Sequence, residues 1–202
     1  MIADRPANCP RSARTFLLTV LFSLAGSPAA AQDDPGPTGS RVGTWQESLA
    51  FLAAGSGVWI TSNAQYRTAD NGEPSSYGMR YWMGMGGTTQ HGCLWGEEPG
   101  RERTTFWSFF TAWDPTRKQL LVQQSAPNGT IGIGYESPES GIAEQTFTRP
   151  DGVAWETRHV SSVLPPDTLV TRSFERSSGG AWEARRTYRW MRQPAGTPSP
   201  CG

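Results

Sequence analysis

His91 and His159 are the only two histidines among 202 residues, and each lies among residues with which it could do chemistry. Trp155, Thr157 and His159 alternate along an extended segment and so share one face; Val170, Arg172 and Phe174 do the same on the next segment. A histidine that moves a proton beside an arginine that orients an anion would suit a small isomerase, cyclase or hydrolase. Without proton transfer, the same residues would line a ligand cavity. An arginine keeps its charge up to a pKa above about 12, so Arg172 inside a cavity needs a carboxylate, backbone carbonyls, water or a bound anion.

The opposite face of that segment, Leu169, Thr171, Ser173 and Glu175, is the more polar one. This predicts that Val170, Arg172 and Phe174 point inward. The same parity turns Trp155, His159, Arg186 and Tyr188 inward. The expected result is a cationic patch of Arg172 and Arg186, with His159 and Tyr188 beside it, suited to a carboxylate head group on an apolar ligand. Two alternatives stay open for Arg172: a solvated outer wall, or an internal pair with Glu144 or Glu156. The stripe Tyr77-Met79-Tyr81-Met83-Met85 adds Tyr81 and Met83 as ligand-wall candidates, since methionine adapts to varied apolar partners. The competing role for that stripe is ordinary core.

His91, Cys93 and Trp95 form a second alternating set. They suit a thiol–imidazole pair, half a metal site, or a disulfide from Cys93 to Cys201. A single histidine could also ligate haem iron or another metal, but the sequence identifies no cofactor. It contains no Gly-x-Ser-x-Gly elbow, phosphate loop or His-Glu-x-x-His, and nothing in the spacing demands that a histidine lie beside a serine. No catalytic residue is assigned. The leading expectation is a non-enzymatic binder of a small hydrophobic or amphipathic molecule.

The segments that must position these residues begin after a predicted signal peptide, residues 1–31. Arg5, Arg11 and Arg14 precede an apolar run, Thr15 to Ala25, and Ala29-Ala30-Ala31 offers a cleavage site. That run is too short to span a bilayer. A periplasmic or secreted location follows, and in such a compartment Cys93 and Cys201 are expected to pair. Removing three arginines and Asp4 leaves 15 basic against 17 acidic residues, a charge near −2 with no basic stripe. Nucleic acid and anionic membranes are therefore not expected partners.

A Pro/Gly/Asp-rich linker, residues 32–42, leads into a domain at 43–192, and residues 193–202 form a disordered or disulfide-tethered tail. Thr44-Trp45-Gln46-Glu47 reads as a capping box that opens one helix, with Trp45, Leu49 and Leu52 on one face and Gly55 past its end. Beyond it, alternating segments are separated by turn signals such as Pro127-Asn128-Gly129 and Pro150-Asp151-Gly152. So many short strands with hairpin-length connections predict an all-β, up-and-down antiparallel barrel of roughly eight to ten strands, with the helix capping one end.

Gly57-Val58-Trp59 closes the turn from helix to first strand. With the run FFTAWDPTRKQLLVQQSAPNGTIGIG, the DGVAWE strand and the final GGAWEARRTYRW hairpin, it resembles a poorly characterised bacterial family of secreted lipocalin-like, calycin-type barrels. The resemblance implies an internal cavity and a Trp59 that plugs the barrel floor against an arginine near the end of the last strand. Arg186, Arg189 and Arg192 are the candidates, with Arg189 the preferred one.

Overall fold

The computed structural model describes residues 44–164, 166–177 and 179–201. The predicted signal peptide and linker lie outside the described residues. A helix, α1 (Trp45–Ala53), leads into ten strands: β1 (Val58–Ser62), β2 (Ser76–Gly84), β3 (Thr89–Glu97), β4 (Thr104–Asp114), β5 (Gln119–Ser125), β6 (Ile131–Ser137), β7 (Ile142–Thr148), β8 (Ala154–Leu164), β9 (Thr168–Arg176) and β10 (Glu183–Arg192). Every strand pairs antiparallel with its sequence neighbour, and β1 pairs with β10. The result is a closed, lipocalin-like up-and-down barrel with no free sheet edge. The described helix is not long and apolar enough to cross a membrane.

The capping box forms as the sequence predicts: Glu47 N donates to Thr44 Oγ1, and Thr44 N donates to Glu47 Oε2 at 2.6 Å. Gly55 and Gly57 both adopt left-handed backbone conformations, and a Cβ on Gly57 would collide with the Tyr81 carbonyl. The chain can therefore reverse from helix to β1 directly against β2. Gln90, buried on β3, donates from Nε2 to the Leu49 carbonyl at 2.7 Å and ties the helix across the barrel end.

Trp59 is fully buried at that end, among Met79, Leu169 and Trp190. Its Nε1 donates to the Leu52 carbonyl at 3.0 Å, so the indole finds a partner as well as packing. The arginine over its ring is Arg192, 4.2 Å from the centroid, and not Arg189. Arg189 is exposed. The reason is positional: the helix lies over the mouth of the barrel, so the stacking arginine must share the inner face of Trp190, which Arg192 does and Arg189 does not. Arg192 also donates to Asp167 and to the Ala54 carbonyl, joining β10, the β8–β9 turn and the helix end.

A second apolar cluster lies outside the barrel. Val58, Cys93 and Trp95 are buried beneath the C-terminal tail, with Cys201 packed on them. Cys93 and Cys201 are disulfide-bonded, with Cα atoms 6.5 Å apart. Arg103 holds the tail through the Pro198 carbonyl at 2.8 Å. Cys93 faces outward, so the bridge needs no passage through the barrel wall.

Candidate functional site

Alternate residues of the strands enclose a cavity of about 360 Å³, whose floor is α1 through Leu49, Phe51 and Leu52. Its size falls at the small end of small-molecule sites. The inner face of β6 is nearly bare, with Gly132 and Gly134 in place of side chains, and the Phe147 ring lies over Gly132 so closely that a Cβ there would clash. Phe147 anchors an aromatic stack near the end away from the helix. Trp107 meets it edge-on at 5.2 Å, and Trp155 stacks on it at 5.5 Å.

Below that stack the wall becomes polar. Thr157 and His159 project inward from β8, opposite Gln145 and Ala143 of β7 in the strand register. Gln145 is buried and accepts from Gln124 Nε2 at 2.8 Å. Thr157 is 6% exposed, and its Oγ1 is one of two buried side-chain polar atoms without a hydrogen-bond partner among the described residues, the other being Thr89 Oγ1. Burial pushes the His159 imidazole down to about 4, so at neutral pH it is uncharged and presents one donor and one acceptor.

Arg172 does not enter this space. On β9 the cavity is lined by Leu169, Thr171, Ser173 and Glu175, with Phe174 reaching it near the rim. Trp190 Nε1 donates to Thr171 Oγ1 at 2.9 Å, which fixes Thr171 as an inner residue. Arg172 therefore belongs to the outer wall, and the predicted cationic patch of Arg172 and Arg186 does not exist. The expectation failed because it equated polar with solvent. In a barrel with a cavity, threonine and serine line the inside, and apolar Val170 covers the outside.

Arg186 points inward but is already engaged. Its guanidinium donates twice to Glu73, at 2.8 and 2.5 Å, and once to Tyr188 Oη at 3.0 Å. Tyr188 Oη in turn donates to Asn63 Oδ1 at 2.8 Å. Glu73 and Asn63 come from the β1–β2 connection, which folds over the end of the barrel distant from the helix. Burial alone would raise the Glu73 carboxyl, but the bonds from Arg186 and Asn63 and the Arg186 charge together hold it below its ordinary range. Burial, followed by the Glu73 charge, pushes the Tyr77 phenol up to about 12. The Glu73 bonds hold the Arg186 guanidinium above its usual range, so this cation is fixed in an ion pair.

Of the residues singled out in the sequence, Trp155, His159, Tyr188 and Tyr81 line the cavity. Met83 shares the strand face of Tyr81 but is not a lining residue. His91 is remote from His159: it stacks on Trp82 outside the barrel, at 5.8 Å. A bulge between Ala184 and Arg186 shifts the register of β10 against β9, and beyond it Trp182 sits between Arg158 and Arg176, 4.5 and 4.3 Å away. Lining residues that sequence reasoning missed include Gln124, Gln145 and Phe147. The signal for two of them was the alternation Ala143, Gln145, Phe147 in β7, where a glutamine takes a core position between small and aromatic neighbours.

Among the described residues, no group of three or more His, Cys, Asp or Glu side chains converges as a metal site would require. His159 and Arg172 do not meet, so the acid–base and anion-orienting pair is not assembled. No protein-family model matches the chain, and no curated protein matches it.

Proposed function

We propose that this chain is an exported, non-enzymatic binding protein that holds a small, largely apolar molecule inside the barrel, as a lipocalin-like carrier or sensor would. The observation that supports this best is the cavity of about 360 Å³, walled by Trp107, Phe147, Trp155 and Trp190 and floored by the helix. A barrel that served only as a scaffold would gain stability by filling such a space, at roughly 24 cal/mol for each Å³. Polar side chains held by neighbours, such as Gln145 by Gln124 and Thr171 by Trp190, stand among the aromatic ones in the wall, which suits orientation of a ligand. The anionic head group anticipated from Arg172 is dropped, because neither arginine offers a free charge to the interior. Export is part of the same reading and accounts for the disulfide between Cys93 and Cys201.

Native mass spectrometry of protein purified from its source, combined with tryptophan quenching across a panel of lipophiles, tests the carrier reading. The expected result is a co-purifying molecule or saturable quenching. Absence of both sinks it. Haem titration is expected to give no Soret band, and a band would instead favour ligation by a histidine. Export is tested by N-terminal sequencing of the exported protein, which should begin at Gln32.

A further inference from the structure

The C-terminal tail touches the barrel through very few bonds, and one of them is covalent. Pro194, Pro198 and Pro200 carry no N–H, and Gly196 turns the chain with a φ of +82°, so the stretch cannot supply the donors of another strand. Gln193 N still donates to the Val58 carbonyl at 2.8 Å, beside the pairing of β1 with β10. Beyond Gln193, among the described residues, no backbone–backbone hydrogen bond joins the tail to a strand; Thr197 N donates only within the tail, to the Pro194 carbonyl at 3.2 Å. Two arginines reach it from the barrel side. Arg103 donates to the Pro198 carbonyl at 2.8 Å, and Arg80 to the Cys201 carbonyl at 2.5 Å. The remaining fastening is the Cys93–Cys201 bridge.

The tail lies on an apolar strip that parity places on the outer face. Met79 of β2 and Leu94 of β3 line the cavity, and Trp59 pairs with Met79, so Val58, Cys93 and Trp95 point the other way. An outer strand face is normally wet, yet these three are 0%, 3% and 0% exposed. Trp95 lies over Gly78, where a Cβ would meet the indole at 2.2 Å. Of the partly buried apolar residues packed on the strip, Ile60 and Trp82 belong to the sheet, and Cys201 alone comes from outside it. A groove lined by Trp82, His91, Ser108 and Pro200 opens beside the bridge.

We infer that the tail is a strap fastened by redox chemistry: reducing Cys93–Cys201 lifts residues 194–201 from the outer wall and bares the strip of Val58, Cys93 and Trp95, while the barrel stays closed. A thiolate of a dithiol reductant attacks Cys201 Sγ, the partly exposed sulfur at the groove. The Sγ–Sγ bond breaks, and Cys93 leaves as a thiolate that takes up a proton. The second sulfur of the dithiol then displaces Cys201 and closes the reductant's own disulfide, so two electrons and two protons pass to the cysteines. Without the bridge, the two arginine contacts compete with water and hold little. Closure of the barrel does not involve the tail, because β1 pairs with β10 through Trp59 and Ile60.

The experiment reduces the oxidised mature protein with dithiothreitol in native buffer and times alkylation of each thiol by iodoacetamide. Hydrogen exchange follows the strands, and the dye ANS reports apolar surface against the oxidised protein. Cys93 should alkylate within about tenfold of the rate of Cys201, since both thiols are then open to the reagent. Strand amides should keep their protection, and ANS fluorescence should rise. A Cys201→Ser variant should fold and show the same Cys93 reactivity with no reductant present. A Cys93 more than about tenfold slower than Cys201 overturns the inference, because the tail then stays docked without its bridge. Strand protection lost on reduction, or a Cys201→Ser protein that does not fold, overturns it in the other direction, because the barrel then depends on the bridge. Unchanged ANS fluorescence overturns the baring of the strip. Each of these outcomes leaves the carrier reading untouched, since the strip lies outside the cavity.

Discussion

Two sides of this barrel treat their polar residues in opposite ways. On the side built by β10, β1 and β2, every polar group pointing inward has a partner within the chain: Arg186 with Glu73 and Tyr188, Tyr188 with Asn63, and Arg192 with Asp167 and the helix end. On the side built by β7, β8 and β9, Thr157 has none, and His159 faces open cavity. The first side closes both ends of the barrel, Arg192 at the helix end and Arg186 at the other. A saturated network stabilises and fixes its loops; on the other side Thr157 Oγ1 is shut away without a partner, and His159 is the group left facing the cavity. The difference separates polar residues that hold the fold from His159, which faces the cavity, although all of them point inward.

Four substitutions probe that division. Trp59→Ala should have the largest effect, a loss of about 3–5 kcal/mol, as for other large aromatics removed from a core. Chemical denaturation would measure it, and an unchanged midpoint would show that the helix end does not depend on the indole. Next is Glu73→Gln, which leaves Arg186 without a countercharge. The pair is partly solvated, with side chains 29% and 22% exposed, so the cost should be about 2–3 kcal/mol, at or below the lower bound for a fully buried pair. If the loss is under about 0.5 kcal/mol, the network is an ordinary surface ion pair.

His159 tests the other wall through pH. Burial holds its folded pKa at about 4, below the ordinary histidine value of 6.5, so protons favour the unfolded chain between those limits. The stability tied to a neutral His159 is complete above pH 6.5, falls as the pH drops toward 4, and falls no further below that. At pH 5 the loss should be at most about 2 kcal/mol. His159→Gln should remove this component, so the difference between the two proteins' stability curves isolates it from the carboxylates. Parallel curves from pH 7 to 4 would show that the imidazole is solvated and the wall more open than described. The Glu73 contribution has a different window: its carboxyl is held below its ordinary value, so it is present at neutral pH and lost only as the pH falls through the folded value.

The smallest effect belongs to Thr157→Val. Replacing an unpartnered buried hydroxyl with a methyl should leave the empty protein within about 1 kcal/mol of the parent, on the stabilising side. A clear loss of stability would mean that Thr157 is satisfied after all, and the two walls would no longer differ.

The framework is legible in the chain. Alternation, punctuated by turn signals such as Pro150-Asp151-Gly152, specifies strands and hairpins because those signals are local. The capping box at Thr44 and Glu47 and the Gly55 stop are local as well, and the closed barrel follows from so many consecutive hairpins. Which face of each strand is inside, and where each charge is neutralised, emerges only from the closed barrel. Parity gives two faces but cannot label them when the interior contains a cavity, because Thr171 and Ser173 then suit the inside and Val170 the outside. The bulge at Ala184/Arg186 shifts the register of β10 against β9, and the pairing of Arg186 with Glu73 spans 113 residues. Contacts at that separation depend on closure of the whole barrel, so no stretch of sequence near either residue encodes them alone.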